Sequence, residues 1–177
     1  MIRGWTGNSR RSGVAHELDL ERLLGVLDRN GVTYVLIGGI AAVAHGSLFP
    51  TEDVDITPAM AGDNLERLSA ALRELNARIR VEGTAEELPF DHDAESLSAV
   101  QTWDLTTRYG DLDLSFVPSG TAGYPDLTRD VSEIRLFGIA VRVASLVDIV
   151  RSKQAANRPK DQRVLPTLRE LMAKLRS

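Results

Sequence analysis

Two short strand-forming runs in this chain carry aspartates at alternate positions, Asp53-Val54-Asp55-Ile56 and Asp111-Leu112-Asp113-Leu114. Successive side chains of a strand point to opposite faces, and residues i and i+2 share a face roughly 6.5 Å apart. Each run therefore has one acidic and one apolar face. Two carboxylates side by side repel each other unless a cation sits between them, and such oxygen donors suit magnesium or manganese. If the two strands are neighbours, Asp53, Asp55 and Asp113 form a cluster, with Asp113 deeper than Asp111, which adjoins the turn residue Gly110. A cluster of that kind can hold two metal ions roughly 3.5–4 Å apart, as phosphoryl and nucleotidyl transfer require.

The segment before the first acidic run supports the same chemistry. Thr33 to Ile37 reads as a buried strand, Gly38-Gly39 ends it, and Ile40 to His45 forms a brief helical pattern closed by Gly46. A glycine pair where a strand enters a helix lets backbone N–H groups approach a phosphate without Cβ obstruction. A lone glycine pair would be explained by a tight turn. Here it is followed, thirteen residues later, by the acidic strand.

The remaining pattern supplies the scaffold. A helix is expected from His16 to a stop at Asn30-Gly31, and an amphipathic one over Asp63 to Asn76 with Leu65, Leu68, Leu72 and Leu75 on one face. The acidic stretch 82–95 reads as a mobile loop. Val100 to Thr107 pairs with residues 111–117 as a hairpin, and 133–144 forms another, turning at Phe137-Gly138. Ser145 caps a helix running to Asn157, Pro159 breaks it, and a last helical segment reaches Leu175, with Pro166 kinking it or marking its start. The expected fold class is α/β (α+β), a mixed β-sheet flanked by helices with a C-terminal helical segment and the site at one edge. Residues 1–14 are expected to form a flexible arm, and 15–177 a single domain.

Composition narrows the chemistry. With no cysteine among 177 residues, disulfides, thiolate zinc sites, iron–sulfur clusters and cysteine nucleophiles are excluded. No apolar run approaches the roughly 20 residues that span a bilayer, and the basic start lacks an apolar segment after it, so the expected address is cytoplasmic, with no membrane partner. The net charge of −4 is unevenly spread: residues 1–12 carry three arginines and no acid, and 151–177 carry eight Lys/Arg against Asp161 and Glu170. An acidic body beside a basic strip could hold a metal and a phosphate together. His16, His45 and His92 lack metal-site spacing and read as surface or satisfied structure; Trp103 reads as packing, and Trp5 belongs to the arm.

Taken together, the glycine pair, the DVDI run and the later GDLDL run resemble the nucleotidyltransferase superfold, which includes DNA polymerase β. In it a glycine turn contacts phosphate, an acidic strand pair binds metal and a later strand supplies a third carboxylate. The segment 152–161, SKQAANRPKD, further resembles the AbiEii-like branch, including the MenT-type toxins. The resemblance implies a nucleotidyltransferase-like fold with Mg2+ (or Mn2+) on Asp53, Asp55 and Asp113 and an NTP as substrate. It places Gly38, Gly39 and Thr51 on the nucleotide side, Lys153 on the phosphates, and Asp161 as a residue that helps position the site. Phe49 stands where that branch often has an arginine, so that contact is either missing or supplied from elsewhere, with Arg108 and Arg158 the candidates. It further implies an RNA acceptor, such as a tRNA end, and a cognate antitoxin protein. The alternatives are transfer to a small molecule such as an antibiotic or to a protein hydroxyl, and, in another class, a non-catalytic nucleotide sensor or interaction partner.

Overall fold

The structure, a computed structural model, describes residues 17–175. The proposed arm at 1–14, with Trp5, and His16 lie outside them. The first helix, α1 (Leu20–Arg29), starts later than the leucine pattern suggested because Asp19 caps it, its carboxylate accepting the Arg22 backbone N–H at 3.1 Å. Strand β1 (Tyr34–Ile37) leads without a loop into α2 (Gly38–Ala44), so both glycines lie inside the helix's first turn rather than ahead of it. Then follow β2 (Asp53–Pro58), α3 (Gly62–Glu74), β3 (Arg78–Arg80), β4 (Glu87–Pro89), α4 (Ala94–Ser98) and the hairpin β5 (Thr102–Thr107) and β6 (Gly110–Ser115). Helix α5 (Tyr124–Leu127), the hairpin β7 (Ser132–Leu136) and β8 (Ile139–Val143), then α6 (Leu146–Ala156) and α7 (Pro159–Lys174) complete the described chain.

The strands form one mixed sheet in the order β4-β3-β5-β6-β2-β1-β8-β7. Strands β2 and β6 run parallel, as do β1 and β8; the other neighbouring pairs are antiparallel. The expected edge position of the site is corrected by this order: β2 and β6 occupy the middle of the sheet, because the β5–β6 hairpin docks on β2 and carries β3 and β4 outward.

Alternation ties the acids to the core. Val54, Ile56, Leu112 and Leu114 are buried, all at or below 1% exposure, and their burial stabilises by roughly 1.5–3 kcal/mol each. A one-residue slip of either strand would bury carboxylates and expose these side chains, so the same burial that stabilises the sheet holds the acids on its other face.

Two other expectations are corrected. The stretch 82–95 is not a continuous loop: Glu87–Pro89 pairs with β3, and Asp93 caps α4 through a capping box with Ser96. His92 is buried there, its Nδ1 2.9 Å from Ser69 Oγ and its ring against Phe90. Pro166 neither starts nor divides the last helix, which runs on from Pro159 to Lys174. Pro159 sits at the first turn of α7, where its missing N–H has no helical partner to lose, while Asn157 ends α6 in the left-handed conformation (φ 52°).

Candidate active site

The parallel pairing of β2 and β6 sets Asp53 opposite Asp111 and Asp55 opposite Asp113. Ligand oxygens of Asp53, Asp55 and Asp113 all lie within 4.8 Å of one another. On the other side of β2, Ile37 is opposite Asp55, and the chain turns there into Gly38 with φ 65°. A Cβ on Gly38 would stand 2.6 Å from Asp55 Cγ, and one on Gly39 would stand 2.6 Å from Thr51 Cβ. Both positions therefore need glycine, the first also for its left-handed backbone. Thr51 donates from Oγ1 to Asp53 Oδ1 at 2.9 Å, so it orients a carboxylate of the cluster as well as filling the space beside Gly39.

Packing three acids together raises the cost of ionising them. Burial, reinforced by the Asp53 charge, pushes the Asp55 carboxyl up to about 6, against the pull of Lys160, Lys153 and Arg158. Burial pushes Asp113 further, up to about 8: Arg80 opposes the rise, while Asp55, Asp53 and Asp104 add to it. A site that holds carboxylates in this state gains most from a divalent cation.

The basic side comes from the α6–α7 corner. Asp161 is fully buried, with Lys153 Nζ 3.3 Å from Oδ1 and Arg158 Nε 2.7 Å from Oδ2. Burial alone would raise this carboxyl, but the Arg158 hydrogen bond and the Lys153 charge hold it below the usual range. Asp161 thus acts as a buried anchor for two cations rather than as a member of the acidic cluster. A cleft of about 350 Å³ joins the two halves, with Gly38, Asp55, Asp104, Asp113, Lys153 and Arg158 among its lining residues. Of the two arginines expected to replace the missing one, Arg158 lies in this wall. Arg108 sits at the β5–β6 turn, its backbone N–H on Leu75 O at 3.0 Å.

Two charged residues in this region were not among the expectations. Asp104, opposite Asp113 on β5, adds a further acid to the wall. Arg80 pairs with both Asp111 and Asp113. The Asp104 signal was readable in principle from the hairpin register. The Arg80 contact, 33 residues from Asp113 and made from a three-residue strand, had no local signal.

No family model matches the sequence, and no curated protein matches it at a significant level. Among solved structures, the chain is similar to the lincomycin-bound lincosamide antibiotic adenylyltransferase LnuA, with a TM-score of 0.59 and 17% identity over 88% of this chain and 99% of that one. The fold is nucleotidyltransferase-like. A further likeness, to the antibiotic-resistance factor ANT(2'')-Ia, has a TM-score of 0.49 and 18% identity over 89% of each chain. Within this nucleotidyltransferase-like fold, the three aspartates stand on adjoining central strands beside the glycine turn. Among the described residues, no helix is long and apolar enough to cross a membrane.

Proposed function

We propose that the chain is a metal-dependent nucleotidyltransferase that moves a nucleoside monophosphate from an NTP to an acceptor hydroxyl. The observation that carries this reading is the convergence of Asp53, Asp55 and Asp113 on one face beside Gly38 and Gly39. The residues fit a hard divalent cation: the donors are all carboxylates, and two of the three are strained toward protonation without one. Asp53, Asp55 and Asp113 would hold magnesium or manganese. When bound, the ion supplies Lewis-acid stabilisation of the charge on the reacting phosphates.

The chain's own residues account for the rest. Gly38 and Gly39 let the backbone approach the triphosphate, and Thr51 keeps Asp53 oriented. Lys153 and Arg158, fixed by Asp161, face the cleft with the positive charge that phosphates need. By the resemblance of the GDLDL run, Asp113, ionised when it holds the cation, is the carboxylate that accepts the acceptor hydroxyl's proton. The acceptor oxygen bonds to the α-phosphorus, the bond from that phosphorus to the bridging oxygen breaks, and pyrophosphate leaves with the electron pair.

The resemblance in segment 152–161 supports an RNA acceptor, a tRNA end among the candidates, with an antitoxin partner. A small-molecule hydroxyl is the second reading, favoured by the cleft: about 350 Å³ suits a compact ligand, and Asp104 in its wall disfavours a phosphodiester backbone. The likeness to an antibiotic adenylyltransferase over nearly that protein's whole length points the same way. Incubating the protein with each α-labelled NTP, magnesium, total RNA, cell protein and a panel of polyhydroxylated antibiotics separates these acceptors. Label transferred by wild type but not by Asp55→Asn supports the enzyme. Absence of label in every fraction, together with NTP binding indifferent to metal, leaves the non-catalytic sensor.

A further inference from the structure

Arg80 ends β3, which is separated from β6 by β5. Ile79 is opposite Leu105, and Asp104 is opposite Asp113, so Arg80 continues the row formed by Asp104, Asp113 and Asp55 across the face of the sheet. Its guanidinium reaches past Asp104. Nη1 lies 2.5 Å from Asp111 Oδ2, and Nη2 lies 2.7 Å from Asp113 Oδ1. The side chains of Arg80 and Asp113 are only 29% and 19% exposed, so the pair is partly withdrawn from water.

This geometry uses a property that lysine lacks. The guanidinium is a rigid planar fork, and here its two tines straddle acids two residues apart on one strand face. Holding an arginine so costs it rotamer freedom, which two charge-assisted bonds offset. Asp111 gains a role from it: outside the three-acid cluster, it is the post to which the fork is tied. The other tine then fixes one oxygen of Asp113 in direction.

We propose that Arg80 is a positioning residue, and that its fork, anchored on Asp111, holds the Asp113 carboxylate at the angle from which it meets Asp53 and Asp55. The inference rests on the metal-dependent reading of the site. A bare positive charge next to the cluster would compete with a divalent cation; a positioning residue would help one bind. The two roles therefore predict opposite signs when Arg80 is removed.

Manganese alone, titrated calorimetrically into the full chain stripped of metal, is the test. Wild type and Asp55→Asn come first: binding present in one and lost in the other establishes the site. Arg80→Ala then weakens manganese binding by about 10–100-fold, the usual effect of losing a residue that orients a ligand. Arg80→Lys keeps the charge but cannot span both acids, and Asp111→Asn unties the fork; each also weakens binding, by a smaller factor. These two variants carry the test if Arg80→Ala does not fold, and metal-free melting midpoints separate lost binding from lost structure. Unchanged or tighter manganese binding in the folded Arg80 variants overturns the proposal while leaving the metal site standing. If wild type binds no manganese, the metal-dependent reading and this inference fall together.

Discussion

Gly38 and Gly39 are held to glycine by their neighbours. Gly38→Ala would place a methyl group against the Asp55 carboxylate in a backbone conformation that L side chains rarely adopt, and Gly39→Ala would collide with Thr51. The first change displaces a carboxylate of the acidic cluster and the second displaces the threonine that orients another, so each is expected to reduce nucleotidyl transfer by at least about tenfold, with Gly38→Ala also destabilising by about 1–3 kcal/mol, measured by denaturant unfolding. Asp161→Ala leaves Lys153 and Arg158 without their buried partner, and because both line the cleft and Arg158 is largely exposed, it is expected to cost about 1–3 kcal/mol in the same assay. Such residues were unequally legible in the sequence. The alternation of Asp53, Asp55 and Asp113 with apolar neighbours could be read directly, since a strand's geometry leaves those acids one face. Asp161 was readable only as part of a resembling segment, and its burial depends on a corner formed by two helices. Arg80 was not readable, because its site lies across two strand boundaries.

The strands and helices carry their own consequences. Leu112 and Leu114 hold β6 in the register that delivers Asp113, so Leu112→Ala is expected to cost about 2–5 kcal/mol and to weaken metal binding beyond the loss of folded protein. Manganese titration well below the melting midpoint checks the second part. Pro166 presents the opposite case. It sits inside α7 and cannot donate to the carbonyl four residues back, so Pro166→Ala is expected to stabilise the protein by about 1–3 kcal/mol, seen as a higher midpoint in thermal melting. A sequence rule that stops helices at proline fails here because Leu165 and Leu168 on either side are buried, and their packing carries the helix through. The short strand β4 escaped notice for a related reason: an exposed three-residue strand in an acidic stretch has no periodicity, and only the edge of β3 defines it.

Over the whole molecule, the strain of collecting acids is a dependence of stability on pH. Asp55 and Asp113 both titrate above their ordinary value in the folded, metal-free chain, so folding retains protons that the unfolded chain has released. Their contribution to stability is complete below about pH 4, the ordinary carboxylate range, and is lost as pH rises through about 6 and then about 8. In chelator, the melting midpoint is therefore expected to fall between pH 5 and about 8.5, less steeply in Asp113→Asn. Magnesium or manganese should restore it most at the alkaline end, where the ligands are already ionised. Differential scanning fluorimetry across that range checks both. The same window avoids the acid limb, where Asp126 and Asp161, held below the usual range, lose their contributions.

The buried corner at Asp161 also gives the molecule an order of assembly. The acids of the site come from residues 53–113, but the cations that face them come from 153–161, near the end of the described chain. During synthesis the negative half of the cleft leaves the ribosome first and must wait for its counter-charges. Strand β1 waits too, for its parallel partner β8. A chain that has emerged only as far as β8 would present the acids of β2 and β6 without the basic wall, which forms only when α6 and α7 pack against each other around Asp161.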